Sequence, residues 1–277
     1  MKFVIVPDLH YLQNNHSSTD DEYVVRGDGP PTQPTGYQAR LNLLVDKLQS
    51  ENLDFFISNG DIVHDNPNAL QTVKTKYNEV GVPYYVSYGN HDRATEQEWV
   101  DVWGYGRNTD FEFGDYAFVL PNTSDESGGR NPADHEWLEE RLDHYSNKAG
   151  VLVVMHVPQS SRWRNSPDAH KVRKVLKESN NLIGTVFSHV HGAITTERID
   201  DLIFSMTGHF AHYGRNFYSY RRFEIVGNNI YTELYDVTND RVIDRHRIAK
   251  EGNAFAWYHQ PVLNYDFVTH HIFENPV

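Results

Sequence analysis

Seven side chains that can bind a metal ion stand at or just beyond the ends of short apolar runs in this sequence. They are two aspartates, one asparagine and four histidines, in the order Asp8, His10, Asp61, Asn90, His156, His189 and His191. Mixed carboxylate, imidazole and amide ligands suit Mn, Fe, Zn, Co or Ni. A carboxylate can also share its two oxygens between two cations. Such a pair of cations is suited to hydrolytic chemistry.

Each of these motifs taken alone has a simpler structural interpretation. A Gly-Asp pair after a strand is usually a turn, and a single histidine inside an apolar strand is more often a core side chain than a ligand. The joint pattern favours a metal site, because independent turns have no reason to place metal-competent residues after five successive apolar runs. Polar groups at the mouth of a core also cost free energy unless they are paired or coordinated.

The metal-competent residues require strands that end at a common edge. The apolar runs predict strands at Phe3–Val6, Leu53–Ser58, Pro83–Ser87, Val151–Met155 and Ile183–Phe187. Apolar residues at helical spacing predict helices at Tyr37–Ser50, Pro67–Val80, Glu96–Trp103, Pro132–Tyr145 and Ala169–Glu178. This alternation is typical of parallel βαβ units, whose carboxyl ends lie on one edge of a sheet. We therefore expect the seven side chains to converge on a single rim.

The last part of the chain has a different pattern. Consecutive strands are predicted at Leu202–Met206, Tyr218–Val226, Ile230–Asp236 and Val242–Ile248, joined by short turns as in a meander. An aromatic-rich tail then covers residues 251–277. We expect a catalytic domain over residues 1–250 and a tail that packs on the body or on a partner subunit, which would give a homo-oligomer.

The composition limits the classes of function. The chain of 277 residues carries a net charge of −13, which disfavours a general nucleic-acid-binding surface. It has no cysteine, so disulfides and thiolate zinc sites are excluded. The first residues predict a strand instead of a signal peptide, and no apolar run is long enough to cross a bilayer. We therefore expect a cytoplasmic protein without a membrane partner.

The order of the motifs is informative. They are Asp8-Leu9-His10, Gly60-Asp61, Gly89-Asn90-His91-Asp92, His156 and Ser188-His189-Val190-His191. The sequence resembles the calcineurin-like metallophosphoesterase family, whose signature has these residue types in this order. Ser188 departs from it, because the family usually has glycine there; a small residue remains, so ligation is expected to survive. Residues 122–130 are loosely similar to the cyclic-nucleotide phosphodiesterase-like members.

The resemblance implies a fold and a set of ligand roles. The fold is an α/β, four-layer α-β-β-α sandwich of two mixed β-sheets flanked by helices, and we expect the βαβ half and the meander to supply one sheet each. The first metal ion would be held by Asp8, His10, Asp61 and His191. The second would be held by Asp61, Asn90, His156 and His189, so that Asp61 bridges the two.

The resemblance also implies a mechanism. A metal-bound hydroxide would attack the phosphoester, and His91 would protonate the leaving oxygen. We expect Asp92 to orient the ring of His91. Residues that could contact substrate are Arg93, Arg162, Arg164, His64 and His209, for each of which a structural role is an alternative. The polar loop of residues 11–36 is expected to act as a lid.

The function expected from these features is hydrolysis of a small-molecule phosphoester. Phosphodiesters, including cyclic nucleotides, are slightly preferred. One alternative is a phosphomonoesterase, including a protein phosphatase. Another is a non-catalytic scaffold with the same fold, although every ligand position and His91 are filled. A mononuclear iron oxygenase would use two histidines and one carboxylate, and would leave Asp61 and Asn90 unexplained.

Overall fold

The computed structural model describes residues 1–12, 36–211, 217–251 and 254–259. The helices in this part are α1 Tyr37–Ser50, α2 Leu70–Asn78, α3 Glu96–Trp103, α4 His135–His144 and α5 Pro167–Glu178, with a 3-10 turn at Pro67–Ala69 before α2. The strands are β1 Lys2–Pro7, β2 Phe55–Asn59, β3 Tyr84–Ser87, β4 Thr109–Phe113, β5 Tyr116–Leu120, β6 Gly150–Met155, β7 Leu182–Phe187, β8 Thr196–Ile199, β9 Leu202–Met206, β10 Ser219–Val226, β11 Asn229–Asp236, β12 Arg241–Glu251 and β13 Ala254–His259.

These strands form two mixed sheets. The first has seven strands in the order β13-β12-β11-β10-β1-β2-β3, and the second has six in the order β4-β5-β6-β7-β9-β8. In the first sheet β1, β2 and β3 are parallel, and β10 joins β1 antiparallel. In the second sheet β5, β6, β7 and β9 are parallel. The strands that precede the predicted ligands, β1, β2, β3, β6 and β7, are all among these parallel strands.

The expected division of strands between the sheets was wrong. The meander β10–β12 does not form a sheet of its own, because β10 pairs along β1 from Lys2 to Ile5. The βαβ half is itself split, with β1–β3 in one sheet and β6–β7 in the other. Periodicity within a strand indicates which residues are buried but not which strand lies beside it, so the partner was not visible in the sequence.

An aromatic ladder joins the two sheets. The register places Phe223 and Phe55 on either side of Phe3, and the rings stack at 4.9 Å on both sides. Phe118 of the second sheet meets Phe3 edge-on at 5.2 Å. Each such pair adds about 1 kcal/mol beyond the burial of its area. The inner core is therefore anchored at the centre of the first sheet.

Helices cover the outer face of each sheet. In α1 the buried residues Leu41, Leu44 and Leu48 pack with Val4 of β1 in an outer core that α2 and α3 extend. In the second outer core, residues of α4 and α5 pack on β5, β6 and β7. The four-layer α-β-β-α sandwich is thus confirmed. No helix in the described part of the chain is long and apolar enough to cross a bilayer.

Capping residues define where the helices begin. Asp134 accepts hydrogen bonds from the backbone N–H groups of Glu136 and Trp137, so α4 starts at His135 and not at the predicted Pro132. Ser166 caps α5 in the same way, with Pro167 in the first turn. Thr95 and Glu98 form a reciprocal capping box at the start of α3.

The carboxyl-terminal segment contains structure that was not predicted. β12 runs to Glu251, and β13 pairs with it as a hairpin. Phe255 and Trp257 of β13 pack against the inner core. Short β8, at the edge of the second sheet, was also missed. Residues 260–277 of the tail and 13–35 of the expected lid lie outside the described residues, so the domain division and the lid stay predictions.

Candidate metal centre

The seven predicted ligands come together at one rim that both sheets share. The first sheet supplies Asp8, His10, Asp61 and Asn90, and the second supplies His156, His189 and His191. We call these seven residues the cation cage. The rim was expected along a single sheet; it is formed instead where the carboxyl ends of two facing sheets meet.

Four of the ligands form the first half of the cage. One donor atom from each of Asp8, His10, Asp61 and His191 lies within 4.8 Å of the others. Nε2 of His191 is 3.2 Å from both Oδ1 of Asp8 and Nε2 of His10. Nε2 of His10 is 3.5 Å from Oδ2 of Asp61. Two imidazoles and two carboxylates at this spacing match the shell of a single cation.

The second half of the cage shares Asp61 with the first. Donor atoms of Asp61, His156 and His189 also lie within 4.8 Å of one another. Nε2 of His156 is 3.2 Å from Oδ2 of Asp61. Asp61 therefore stands between the two groups, as a bridging ligand requires.

A buried polar atom supports the fit to a metal. Oδ1 of Asn90 has no hydrogen-bond partner among the described residues. A buried acceptor without a partner costs about 1–3 kcal/mol. Asn90 belongs to the predicted ligand set, so a bound cation would satisfy this oxygen.

The charges of the cage also favour cations. Burial disfavours the charged form of His156, but the Asp61 carboxylate outweighs it and raises the pKa of His156 to about 9. Burial lowers the pKa of His189 to about 3 and also lowers that of His10. The rings of His189 and His10 are therefore neutral near pH 7, and each can donate a nitrogen lone pair to a metal ion. At His156 the carboxylate attracts positive charge, which metal ions can provide.

The backbone of the cage is unusual. Asp8, His10, Asp61 and His189 all have positive φ, between 41° and 64°. Non-glycine residues rarely adopt this region, and where they do the surrounding structure must hold them there. The left-handed turns after β1, β2 and β7 let the chain present a side chain at the rim and leave the sheet at once. Four of the seven predicted ligands therefore carry backbone strain.

Two glycines leave room for the ligands. A Cβ on Gly60 would lie 2.4 Å from Nδ1 of His156, and a Cβ on Gly89 would lie 2.1 Å from the backbone nitrogen of Asp61. Gly60 also has a φ of +71°. The glycines of the Gly-Asp and Gly-Asn-His-Asp motifs are therefore required by close packing across the cage.

Hydrogen bonds beneath the cage join the two sheets. Asn59 at the end of β2 donates from Nδ2 to Oγ of Ser188 at 2.8 Å, and Ser188 Oγ lies 2.9 Å from Oγ1 of Thr207. The backbone oxygen of Asn59 is 3.0 Å from Nδ1 of His156. The serine that departs from the family pattern thus connects the sheets, and its φ is not in the left-handed region.

His91 lies at the mouth of the cage, but the predicted partner was wrong. The carboxylate of Asp92 is fully buried and accepts from the backbone N–H groups of Ile62, Val63 and Gly89 at 2.7–3.0 Å. It stabilises the loops and does not orient the ring of His91.

The carboxylate beside His91 belongs to a different residue. Nδ1 of His91 is 3.0 Å from Oδ1 of Asp65, and the same oxygen accepts from Nε of Arg93 at 2.5 Å. Asp65 was missed by the sequence interpretation. Its only signal was a position four residues after Asp61.

A cavity of about 560 Å³ opens over the cage. Beyond the ligands it is lined by His91, Arg130, Val157, Pro158, Trp163 and Arg164. Among the predicted substrate residues, only Arg164 lines this cavity. Arg130 was not predicted, because its place in the chain gives no sign that its loop reaches the rim.

The other predicted substrate residues make contacts with the protein. Arg93 pairs with Asp65, and Arg162 pairs with Glu197 at 2.7 Å. Nδ1 of His64 lies 3.0 Å from Nδ1 of His10. Buried His209 has Nδ1 3.0 Å from the backbone oxygen of His191. Both histidines therefore support ligands. His209 is a structural residue and not a substrate wall.

The fold and the rim together define a class of protein, an α/β sandwich that carries a two-cation ligand set at the shared edge of its sheets. The family model described as calcineurin-like phosphoesterase matches residues 1–193. The chain belongs to this family. Among curated proteins no match was found.

Solved structures show the same fold. A dimetal phosphatase from Danio rerio is similar with a TM-score of 0.65 and 12% identity, over 87% of this chain and 98% of that chain. Purple acid phosphatase PPD1 from seeds of yellow lupin, Lupinus luteus, is similar with a TM-score of 0.62 and 12% identity, over 91% of this chain and 54% of that one. This chain thus spans about half of the lupin enzyme.

Proposed function

We propose that this protein is a metal-dependent phosphoesterase that hydrolyses a small-molecule phosphoester. The observation that carries the proposal is the position of Asp61, whose carboxylate is common to two groups of ligand atoms, each within 4.8 Å. A pair of bound divalent or trivalent cations would lower the pKa of a shared water and neutralise charge on the phosphoryl oxygens. The residues of the cage would hold such a pair, and His10, Asp61, His189 and His191 of the cage line the cavity.

His91 is the proton donor in this proposal. Asp65 engages its Nδ1, so Nε2 is the nitrogen assigned to the leaving oxygen. The backbone N–H of His91 donates to Oδ1 of Asp61 at 2.7 Å, which connects the donor directly to the bridging ligand. A proton donor must be within hydrogen-bond reach of the reacting group, and this contact with Asp61 supports the assignment of His91.

The cavity favours diesters over monoesters. Val157, Pro158 and Trp163 form an apolar side of the cavity beside the cage. A phosphodiester has two organic groups, and such a surface can cover the second one. A monoester has only one organic group. A phosphomonoesterase is the alternative.

A substrate comparison tests the proposal. The purified protein is incubated in turn with manganese, iron, zinc, cobalt and nickel, and hydrolysis of bis-p-nitrophenyl phosphate is compared with that of p-nitrophenyl phosphate. We expect at least one metal to support turnover, with kcat/KM higher for the diester. Turnover of the monoester alone would support the phosphomonoesterase. Elemental analysis should give about two metal ions per chain; a protein that binds no metal after reconstitution would be a scaffold.

A further inference from the structure

Two arginines line the cavity without a carboxylate partner. Arg130 and Arg164 form no ion pair with any residue in the described ranges, although the chain contains 38 acidic residues. Arg162 and Arg93, which are close to them in sequence or space, are both paired with carboxylates. The presence of a carboxylate partner therefore distinguishes Arg93 and Arg162 from the two arginines that line the cavity.

The two arginines are in direct contact. Arg164 donates from an Nη atom to the backbone oxygen of Arg130 at 2.8 Å. Burial, and then the positive charge of Arg130, lower the pKa of Arg164. Two like charges placed together in a chain of net charge −13 are stabilised when an anion binds between them.

Hydrogen bonds hold the loops that carry the two arginines in place. Arg173 is buried and donates from one Nη atom to the backbone oxygens of Gln159 and Arg164, at 2.8 and 2.9 Å. On the other side, Asp125 accepts from the backbone N–H of Gly129 at 2.9 Å, and Arg130 pairs with Ser124 in a short β-bridge. These loops hold the pair at the wall of the cavity.

Trp163 completes this wall. Its side chain is 44% exposed, which is rare for a large hydrophobic residue in the described part of the chain. It lines the same cavity as Arg130 and Arg164. A flat apolar surface beside two guanidinium groups suits a ring that carries a charged substituent. We call Arg130, Trp163 and Arg164 the arginine wall.

We propose that the arginine wall is a second phosphate subsite, so that the substrate is a phosphoester whose organic part carries a ring and an additional phosphate. The inference rests on the proposed phosphoesterase function, because the cage must hold the reacting phosphoryl group while the wall holds the other. Planar guanidinium groups bind phosphate through paired hydrogen bonds.

The test compares two substrates that differ by one phosphate. These are thymidine 5′-(p-nitrophenyl phosphate) with a free 3′-hydroxyl and the same compound with a 3′-phosphate, both followed by release of p-nitrophenolate. We expect the 3′-phosphate to lower KM by roughly 10- to 100-fold, the range of charge-assisted hydrogen bonds. In the double variant Arg130→Gln/Arg164→Gln, the KM of the substrate without the 3′-phosphate divided by the KM of the substrate with it should fall to about 1–3, because the charge-assisted hydrogen bonds are lost.

A matched variant and a binding measurement complete the test. Arg198→Gln removes an exposed arginine that is paired with Asp201 and does not line this cavity, and it should keep the wild-type ratio. Calorimetry should show tighter binding of thymidine 3′,5′-bisphosphate than of thymidine 5′-monophosphate to the wild type, and equal binding to the double variant. Equal KM values for the two substrates in the wild type, or an unchanged ratio in the double variant, would overturn the proposal. Neither result would affect the phosphoesterase function, which fails only if no substrate is hydrolysed.

Discussion

The cation cage and the arginine wall share one cavity but are built in opposite ways. Most cage residues are buried, they follow strand ends, and four of them hold left-handed backbone. The wall residues lie on loops after β5 and β6, and Trp163 and Arg130 are exposed. Reacting atoms need placement within about 0.5 Å, which rigid elements provide, whereas loops can vary without disturbing the core. Under the two proposals above, reaction class and substrate choice are determined by different parts of the chain.

The largest expected effect comes from the shared ligand of the cage. Asp61→Asn removes the negative charge that both ligand groups use, so we expect metal content to fall and kcat/KM to drop by about 10⁴-fold for every substrate. Elemental analysis and steady-state kinetics measure the two quantities. Asp101→Asn, at an exposed position on α3, is the matched control and should change neither.

Asp61→Asn also tests whether the cage and the wall have separate roles. If Asp61→Asn lowered kcat/KM only for substrates with a second phosphate, the cage and the wall would not have separate roles. Full metal content together with wild-type turnover would remove the basis of the metal centre.

A smaller effect is expected at the mouth of the cage. His91→Gln removes the proposed proton donor but no ligand, so kcat should fall by about 10²- to 10³-fold while metal content stays near wild type. The same measurements apply. Asp65→Asn should cause a smaller decrease, because it leaves the ring in place and weakens only the contacts of Asp65 with Nδ1 of His91 and Nε of Arg93. Unchanged turnover in His91→Gln would show that this ring belongs to the loop alone.

The last expected effect is on stability, and it tests why the cage is rigid. Gly60→Ala adds a Cβ 2.4 Å from a ring atom of His156, so the free energy of unfolding should decrease by about 3 kcal/mol. Gly81→Ala is matched, because Gly81 has a similar positive φ but no atom within 4 Å. Backbone strain alone should cost about 1 kcal/mol there. Chemical denaturation of both variants without metal measures the difference.

Equal losses in the two glycine variants would contradict this interpretation. They would show that left-handed backbone, and not contact with His156, explains the glycine of the Gly-Asp motif. The cage would then be less tightly packed than its distances indicate.

Much of the cage could be predicted from the sequence. Strands such as Phe3–Val6 and Val151–Met155 are marked by continuous apolar residues, and a polar residue directly after such a run must lie at the end of a buried strand. The ligands Asp8 and His156 were therefore identified with their positions in the fold. The βαβ alternation added the expectation that all seven side chains share one rim, and the order of the motifs added the resemblance that implies their roles as ligands.

The roles of polar residues inside loops were harder to predict. Asp92 follows His91 directly, yet it points to the backbone of Ile62 and Val63, while Asp65 reaches His91 from another loop. Neighbours in sequence on an irregular loop do not follow a fixed periodicity, so their side-chain directions depend on contacts made elsewhere. The same reason explains why Arg164 was identified without its neighbour Arg130.

By itself, the sequence determined the types of the predicted ligands and their place at strand ends, because these depend on local apolar patterns and on the chemistry of single side chains. The layered α/β class followed from the resemblance to the family that the motifs carry. Tertiary structure alone decided that β10 pairs with β1, that the rim spans two sheets, and that Arg130 meets Arg164. Strand pairing and loop contacts join residues far apart in the chain, and their free energy depends on the packing of the whole core.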